Sequence, residues 1–142
     1  MSAQQEAELR TNRQLNHTFW KLQRAMRTRL EPFALTPRQY SLLVHVGEEG
    51  TAFTDLAEHM YADLSTVNGI VNRLEKQGYL VRERCLSDRR VVLIRLTAEG
   101  KELRQRVVPY HHAQIHEIYA GLSEQELQDL RALLARLFRA LD

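Results

Sequence analysis

The chain has 142 residues, 44% of them hydrophobic and 27% charged, with one cysteine and a formal net charge of +2. This balance is typical of one globular domain. No apolar run approaches ~20 residues, so we expect no membrane span. Because the N-terminal stretch is polar, we expect no signal peptide. A lone cysteine cannot form an intrachain disulfide, which favours a cytoplasmic protein, and the small net charge means that affinity for nucleic acid must come from local clusters of charge.

Three helices are predicted in the first 60 residues. The first spans about 6–31 and ends at Pro32, because proline disfavours a helical residue before it. The second starts after Thr36, whose side chain can form a capping box with Gln39, and the third spans about 54–60. The expected core faces are Leu15, Phe19, Leu22, Met26 and Leu30 in the first helix, Tyr40, Leu43, Val44 and Gly47 in the second, and Leu56 and Ala57 in the third.

The fourth predicted helix has an unusual polar face. Asp63 can accept amide protons at its start, and Gly78 is the residue expected just past its end. Its apolar face is Val67, Ile70, Val71 and Leu74. The opposite face has only small or hydrogen-bonding residues, namely Ser65, Thr66, Asn68, Gly69, Asn72, Arg73 and Lys76. Surface helices usually carry more Glu and Lys than Ser, Thr and Asn, which form helices less well, so this face is predicted to bind a partner.

A β-hairpin follows the fourth helix. YLVRER and VVLIRLT are rich in β-branched residues and predict two short strands, joined by the polar loop CLSDRR. The order helix, helix, hairpin is that of a winged helix-turn-helix. In the loop, Asp88 lies two residues before Arg90, where a carboxylate can hold the guanidinium in one orientation. The alternative for this pair alone is a solvated turn with a weak surface ion pair.

Two further helices complete the chain. Thr97 caps a helix predicted over about 98–120, and Pro109 should kink or interrupt it, because proline lacks an amide proton and clashes with the preceding turn. A capping box from Ser123 to Glu126 starts the last helix. Its apolar stripe is Leu127, Leu130, Leu133, Leu134, Leu137, Phe138 and Leu141. A small winged helix has little surface left to cover this stripe, so we expect burial against a second chain. Packing on the chain's own first helix is the alternative.

Basic residues cluster around the fourth helix and the hairpin. Residues 73–95 include seven basic and only three acidic side chains, although the net charge of the whole chain is small. The major groove of DNA admits one α-helix, whose short polar side chains can reach base edges. An arginine at a loop tip can enter a narrow minor groove, where the negative potential is strongest. A solvated basic face would explain the charge but not the composition of the helix, so DNA binding is the favoured interpretation.

The segment TDLAEHMYADLSTVNGIVNRLEKQGYLVRERCLSDRRVVLIRLTAEGKEL, residues 54–103, resembles the MarR/SlyA family of winged-helix transcription regulators. The resemblance rests on LA in the third helix, STV and VNRLEKQGYL in the fourth, then DRR and LTAEG, and it extends more loosely over nearly the whole chain. It implies a mainly α fold with a small β-hairpin wing (α+β) and a homodimer that reads a pseudo-palindrome. Residues 1–34 and 98–142 would form the helical dimerisation region, and residues 35–97 the winged helix-turn-helix DNA-binding domain.

The resemblance also implies roles for individual residues. It places DNA contacts on Ser65, Thr66, Asn68, Asn72 and Arg73, and the family's Asp-x-Arg wing pair on Asp88 and Arg90, with Arg89 on phosphate. The residue types themselves add Gly69, where a backbone can approach DNA, and Lys76, which suits guanine or phosphate.

A small effector is the next expectation. The family commonly binds small anionic aromatic molecules where the dimer helices meet the winged lobe. Candidates in this chain are His17, Trp20, Arg24, Tyr40 and His45, since aromatic and basic groups together suit a phenolate or carboxylate. For Trp20 and Tyr40, packing in the core is the alternative.

Two other kinds of sensing site were weighed. In the cluster His111, His112 and His116, the last two are one helical turn apart and could chelate zinc with His45, but no acid or cysteine lies beside them, so a polar helix face is favoured. Arg82, Arg84 and Arg89 could lower the pKa of Cys85, although a half-buried structural cysteine is more usual. Peroxide-sensing members of the family have their cysteine in or near the first helix, where this chain has none. We expect no metal and no cofactor.

Three classes of function were compared. The favoured one is a sequence-specific DNA-binding regulator, a repressor whose partners are double-stranded operator DNA, a second copy of the chain and a small effector; a zinc- or thiol-responsive regulator of the same fold is the alternative. An enzyme is not expected, because no histidine lies near Cys85 and no Gly-rich phosphate loop or hydrolase elbow occurs. The third class, a winged helix that binds protein, is disfavoured by the basic cluster, and a steep loss of binding with salt would separate it from DNA binding.

Overall fold

The computed structural model describes all residues, 1–142, and is mainly helical with one small antiparallel sheet, as the sequence predicts. In chain order the elements are α1 (Ala3–Leu30), a one-turn 3-10 helix (Glu31–Phe33), α2 (Pro37–His45), β1 (Thr51–Ala52), α3 (Phe53–His59), α4 (Leu64–Lys76), β2 (Leu80–Arg84), β3 (Val92–Leu96), α5 (Ala98–Tyr119) and α6 (Glu124–Arg139). Two compact units are present, residues 1–108 and residues 109–142. None of the helices combines the length and the apolar character that crossing a lipid bilayer would require.

Side chains at the predicted caps begin four of the helices. Thr36 and Ser123 form the expected capping boxes at the starts of α2 and α6, Asp63 caps α4, and Thr97 caps α5. A cap on α1 was not predicted: the Ser2 side chain accepts the Gln5 amide, and the Gln5 side chain accepts the Ser2 amide in return. Since this box satisfies two otherwise unpaired amides, α1 begins at Ala3, three residues earlier than its apolar stripe suggests.

The core of the first unit lies among α2, α3, α4 and the sheet. Its fully buried side chains include Leu42, Leu43, Leu56, Val67, Val71, Leu74, Leu80 and Ile94. The expected core face of α2 was wrong at two positions: Val44 is 37% exposed, and Gly47 is exposed and lies past the end of the helix, whereas Leu42, which was left out, is fully buried. Each helical residue advances about 100° around the axis, so the buried face is centred near Gln39 and Leu43, with Leu42 at one edge and Tyr40 at the other. Val44 lies beyond the Tyr40 edge.

The sheet has three strands in the order β1-β3-β2, one more than the predicted hairpin. β2 pairs with β3 so that Arg82 lies opposite Ile94, and β1 pairs with the other edge of β3 so that Thr51 lies opposite Ile94. The strand β1 has only two residues, too few to display an alternating pattern. It forms because β3 offers it a free edge about forty residues further along the chain.

The start of α5 is packed directly against the backbone that follows α4. The Thr97 hydroxyl donates to the Gly78 carbonyl (2.6 Å) and accepts the Gly100 amide (3.0 Å), while the Thr97 amide donates to the Tyr79 carbonyl (3.1 Å). Gly78 has φ +85, the left-handed conformation expected just past a helix end. At Gly100 a Cβ would lie 2.1 Å from the Tyr79 carbonyl oxygen, so only glycine permits this approach.

Arg104 ties α5 to the end of α2. Its guanidinium donates to the carbonyls of Leu43 (3.3 Å) and Val46 (2.6 Å), and also to the Glu48 carboxylate (2.7 Å). The last carbonyls of a helix have no partner within the helix. Arg104 supplies one from elsewhere in the chain, and so fixes α5 relative to the helical core of the same unit.

The two ends of the chain leave apolar surface exposed. On α1 only Met26 and Leu30 of the predicted stripe are buried, whereas Leu15 and Phe19 are exposed. No residue of α6 is buried. Pro109 does not end α5, which continues to Tyr119, but the boundary between the two compact units falls at this proline. Which parts of the chain serve dimerisation stays a prediction.

Two helical glycines allow a matched test of the junction. Gly100→Ala should lower the free energy of unfolding by about 1–3 kcal/mol, because the added methyl forces the Tyr79 backbone away. Gly69→Ala, where nothing lies within 4 Å, should instead raise it by about 0.5–1 kcal/mol, because alanine is the better helix former. Urea unfolding followed by circular dichroism measures both. Equal effects of the two substitutions would contradict the junction described above.

Candidate nucleic-acid interface

The polar face of α4 is fully presented to solvent. Ser65, Thr66, Asn68, Gly69, Asn72, Arg73 and Lys76 are all exposed, while Val67, Val71 and Leu74 on the other side are buried. At the start of the helix the Thr66 amide donates to the Asp63 carboxylate (2.7 Å), which lowers the pKa of that carboxyl below its ordinary value. The burial of one face and the N-cap therefore orient the predicted DNA-reading residues outward as a set.

Arg82 contacts this face, and the sequence predicted no role for it there. From β2 its guanidinium donates to the side-chain oxygens of Asn68 (3.0 Å) and Asn72, and its Nε lies 3.5 Å from the Glu75 carboxylate. It also lies over the Phe53 ring, 5.9 Å from the ring centre. One signal in the sequence could have identified Arg82. Side chains alternate along β2, so Arg82 lies on the same face of the sheet as the buried Leu80.

The wing is the hairpin of β2 and β3 with its loop, residues 85–91. Here Asp88 binds Arg90 through three contacts: the Arg90 amide and Nε both donate to Oδ1 (3.1 Å each), and Nη2 donates to Oδ2 (3.3 Å). These bonds lower the pKa of Asp88, which favours its charged form. The Arg90 side chain is nevertheless 92% exposed, so the guanidinium is oriented without being buried.

Hydrogen bonds across and within the loop hold the wing in its conformation. Arg84, the last residue of β2, donates to the backbone carbonyl of Arg89 across the loop (3.0 Å). The loop also closes on itself, since the Cys85 amide donates to the Val91 carbonyl (2.9 Å) and the Val91 amide to the Asp88 carbonyl (3.0 Å). Arg89 itself extends from a loop that is anchored on both sides.

The basic residues of the cluster divide into those that pair with an acidic side chain and those that do not. The three acids of residues 73–95 each pair with one arginine: Glu75 with Arg82, Glu83 with Arg95, and Asp88 with Arg90. Four basic residues have no acidic partner, and one of them, Arg84, donates to the Arg89 carbonyl instead. The other three, Arg73, Lys76 and Arg89, are exposed on α4 and in the wing, where they can neutralise phosphates.

Cys85 lies at the base of the wing loop and is half-buried. Its Sγ is 3.1 Å from the Ser87 hydroxyl, and its pKa is lowered by hydrogen bonds from the Ser87 side chain and from the Asp88 and Ser87 amides. The direction agrees with the sequence-based expectation, but the assigned cause was wrong. Local hydrogen bonds lower the pKa of this thiol, and the neighbouring arginines do not.

The predicted effector residues fall into separate places within the first unit. Trp20 and Arg24 line one groove on α1 together with Lys21, Gln23 and Arg27, and His17 stands beside the Trp20 ring (5.9 Å between ring centres). Trp20 is 62% exposed, so it is not a core residue of the single chain. Tyr40 is buried in the core, where burial raises the pKa of its phenol.

The histidines do not assemble a metal site. His45 stacks on His59, a partner that the sequence did not suggest, at 5.7 Å between ring centres. His112 and His116 line a groove between the end of α5 and α6 in the second unit, with Tyr119 and Leu130 among its other walls. No group of three or more His, Cys, Asp or Glu side chains is close enough together to hold a metal ion. Burial and the neighbouring His112 lower the pKa of His111.

A family model and a known transcription regulator both match this chain. A family model described as "MarR family" matches residues 35–92. The organic hydroperoxide resistance transcriptional regulator of Bacillus subtilis (strain 168) is 32% identical over 114 residues, which are 80% of this chain and 74% of that protein.

Two solved structures are similar over most of their length. AbsC, a MarR family transcriptional regulator from Streptomyces coelicolor, has 28% identity and a TM-score of 0.85 over 99% of this chain and 96% of its own. CouR from Rhodococcus jostii RHA1, solved with bound p-coumaroyl-CoA, has 30% identity and a TM-score of 0.78 over 87% of each chain.

The wing arginine provides a direct test of this surface. Arg90→Ala should weaken binding to a selected operator by about tenfold or more, because a preoriented, charge-assisted contact is lost. It should leave the unfolding midpoint unchanged, since the side chain is almost wholly exposed. Gel-shift titration at fixed salt measures the affinity.

The matched control for the wing is Arg10→Ala. Arg10 is also an exposed arginine paired with a single acid, Glu6, but it lies on α1. The Arg10→Ala substitution removes the same charge from the protein and should leave operator affinity nearly unchanged. Equal losses in the two variants would mean that Arg90 acts only through the net charge of the protein.

Proposed function

The chain belongs to the MarR family of DNA-binding transcription regulators, which are not enzymes, and on this premise we propose that it is a cytoplasmic homodimeric repressor released from its operator by a small aromatic anion. The observation that carries the proposal is the pairing of two adjacent surfaces. The polar face of α4 suits a major groove, and Arg90, held by Asp88 at the tip of the wing, suits the minor groove beside it.

The residues divide into two kinds of contact. Ser65, Thr66, Asn68 and Asn72 are short and exposed on one helical face, so they are proposed to reach base edges. The unpaired cations Arg73, Lys76 and Arg89 are proposed to bind phosphates, with Gly69 allowing the helix backbone to come close. In a dimer the two recognition helices read half-sites related by a twofold axis, which is why the operator is expected to be a pseudo-palindrome.

Dimerisation is supported by the apolar surface that the single chain leaves uncovered. Leu130, Leu133, Leu134, Leu137 and Phe138 of α6 are all exposed, and so are Leu15 and Phe19 of α1. A monomer rarely exposes apolar side chains in such a continuous helical stripe. A second copy of the chain offers the same stripe and can bury it in a symmetric interface.

The effector proposal rests on the groove of about 460 Å³ along α1. Trp20 offers an aromatic face, and Arg24 and Arg27 offer two guanidinium groups on the same groove. An aromatic carboxylate matches this set, since its ring can stack on the indole while its carboxylate pairs with an arginine. That CouR binds p-coumaroyl-CoA is in keeping with an aromatic acid derivative as the ligand class.

The dimer can be tested on α6. Leu137→Glu places a charge in the apolar stripe, so it should convert a dimer to monomers in sedimentation velocity. Because Leu137 is already exposed in the single chain, the far-ultraviolet circular dichroism should not change. Gln128→Glu adds the same charge to the same helix outside the stripe and should remain dimeric. A wild-type protein that sediments as a monomer at micromolar concentration would contradict the dimer.

The effector can be tested with p-coumarate, using Trp20 as the only tryptophan of the chain. Binding should quench the Trp20 fluorescence and release the selected operator in a gel shift. Arg24→Ala should raise the dissociation constant about tenfold, because it removes a charge-assisted hydrogen bond. Arg10→Ala, elsewhere on α1, should not. Quenching without operator release would contradict the regulatory role of this groove.

A further inference from the structure

The guanidinium of Arg82 lies between the sheet and the recognition helix. It donates to the side-chain oxygens of Asn68 and Asn72, which are one turn apart on α4, and it pairs with Glu75 one turn beyond Asn72. The Phe53 ring lies on another side of the same group. Only 29% of the Arg82 side chain is exposed, so these contacts occupy most of its surface.

The chemistry of arginine decides how the two amides are turned. A guanidinium has five donors and no acceptor, so an asparagine that contacts it must present its oxygen and not its NH₂ group. The NH₂ groups of Asn68 and Asn72 are then left to face solvent, each with two protons to donate. An isolated asparagine on a helix surface would instead turn its amide to suit either a donor or an acceptor.

We propose that Arg82 is a positioning residue that makes Asn68 and Asn72 donate, and not accept, toward the major groove. This inference rests on the proposed DNA-binding function and specifies how the site reads sequence. Guanine presents two acceptors there, N7 and O6, which suit an NH₂ donor. Adenine is read by asparagine through a bidentate pair that also needs the amide oxygen to accept from N6, and that oxygen is turned toward Arg82.

The position of Arg82 favours this indirect role over a contact of its own with DNA. To reach a phosphate, the guanidinium would have to leave two amides, a carboxylate and a ring, all within the same half-buried site. The asparagines project from the exposed face instead. Because each amide is held before DNA arrives, less side-chain entropy is lost when it binds.

Base preference after substitution tests the proposal. Wild type and Arg82→Lys would each be used to select bound sequences from a random DNA pool, and affinities would be measured on the selected operator and on its guanine-to-adenine variants. Both bonds to the asparagines come from Nη2 while Nε pairs with Glu75, and lysine keeps the charge but ends one atom short of Nη2 and has no second nitrogen. Discrimination against adenine at the positions read by Asn68 and Asn72 should fall about tenfold, while the salt dependence of binding stays the same.

Arg95→Lys is the matched control, because it makes the same substitution at another strand arginine. Arg95 lies on β3 and pairs with Glu83 on the opposite face of the sheet from Arg82. It should leave base preference unchanged. If Arg82→Lys weakened binding equally on all sequences and left the base preference unchanged, Arg82 would be a phosphate contact and the proposal would be overturned.

Asn72→Asp provides a second test that does not depend on changing Arg82. The carboxylate still accepts from Arg82, but it removes the outward donor, so binding to guanine at the affected position should be lost selectively. Gln77→Glu adds the same charge just past the end of α4 and controls for repulsion by phosphates. Unchanged base preference in Asn72→Asp would overturn the proposal, whether or not Arg82→Lys folds.

Failure of the proposal can be separated from failure of the proposed function. If the wild-type protein enriches no sequence from the pool, it is the proposed sequence-specific function that fails, and the role of Arg82 fails with it. If the wild-type protein enriches an operator and Arg82→Lys enriches the same operator with the same base preferences, only the role of Arg82 is overturned.

Discussion

The close approach of α5 to the Tyr79 carbonyl is the constraint on which the arrangement of α4 and the wing depends. At this point the end of α4, the start of β2, the end of β3 and the start of α5 meet through the hydrogen bonds of Thr97. Gly100 is required there because any Cβ would overlap the carbonyl oxygen. The end of α4 and the strands of the wing are therefore joined at one place, and the start of α5 cannot rotate without disturbing both.

Individual ion pairs, more than the net charge of the protein, determine how its basic side chains are arranged. The net charge is small, and each acid near the wing is used to hold one arginine. Asp88 orients an arginine that remains exposed, whereas Glu75 helps to hold one that is largely enclosed. The same kind of ion pair thus has two effects: one orients an exposed cation, and the other helps to hold an arginine that donates to two amides of α4. In either case order achieved before binding reduces the entropy lost on binding.

Most of the exposed apolar surface lies away from the polar face of α4. Continuous apolar stripes are exposed on α1 and α6, near the two chain ends, whereas α4 and the wing expose only isolated apolar side chains such as Leu64 and Leu86 among polar and basic ones. Burial against a second copy therefore need not compete with DNA for the same residues. This separation is what a homodimer that reads two half-sites needs, because each copy must keep its recognition helix free.

Features that depend on residues close in sequence were determined by the sequence itself. The capping boxes at Thr36 and Ser123, the cap at Asp63, and the Asp88–Arg90 pair all join residues two or three positions apart, so residue type and spacing suffice to predict them. The mainly helical fold with a wing follows from the change of hydrophobic period.

Only the tertiary structure decided the rest, because the partners lie far apart along the chain. β1 exists because it meets the edge of β3, and Leu42 rather than Val44 is buried because of where the other helices pack. Arg82 finds Asn68 and Asn72 ten to fourteen residues away, across the turn that joins α4 to β2. No local pattern encodes such distances, so the sequence could identify the exposed polar face of α4 but not the arginine that contacts two of its asparagines.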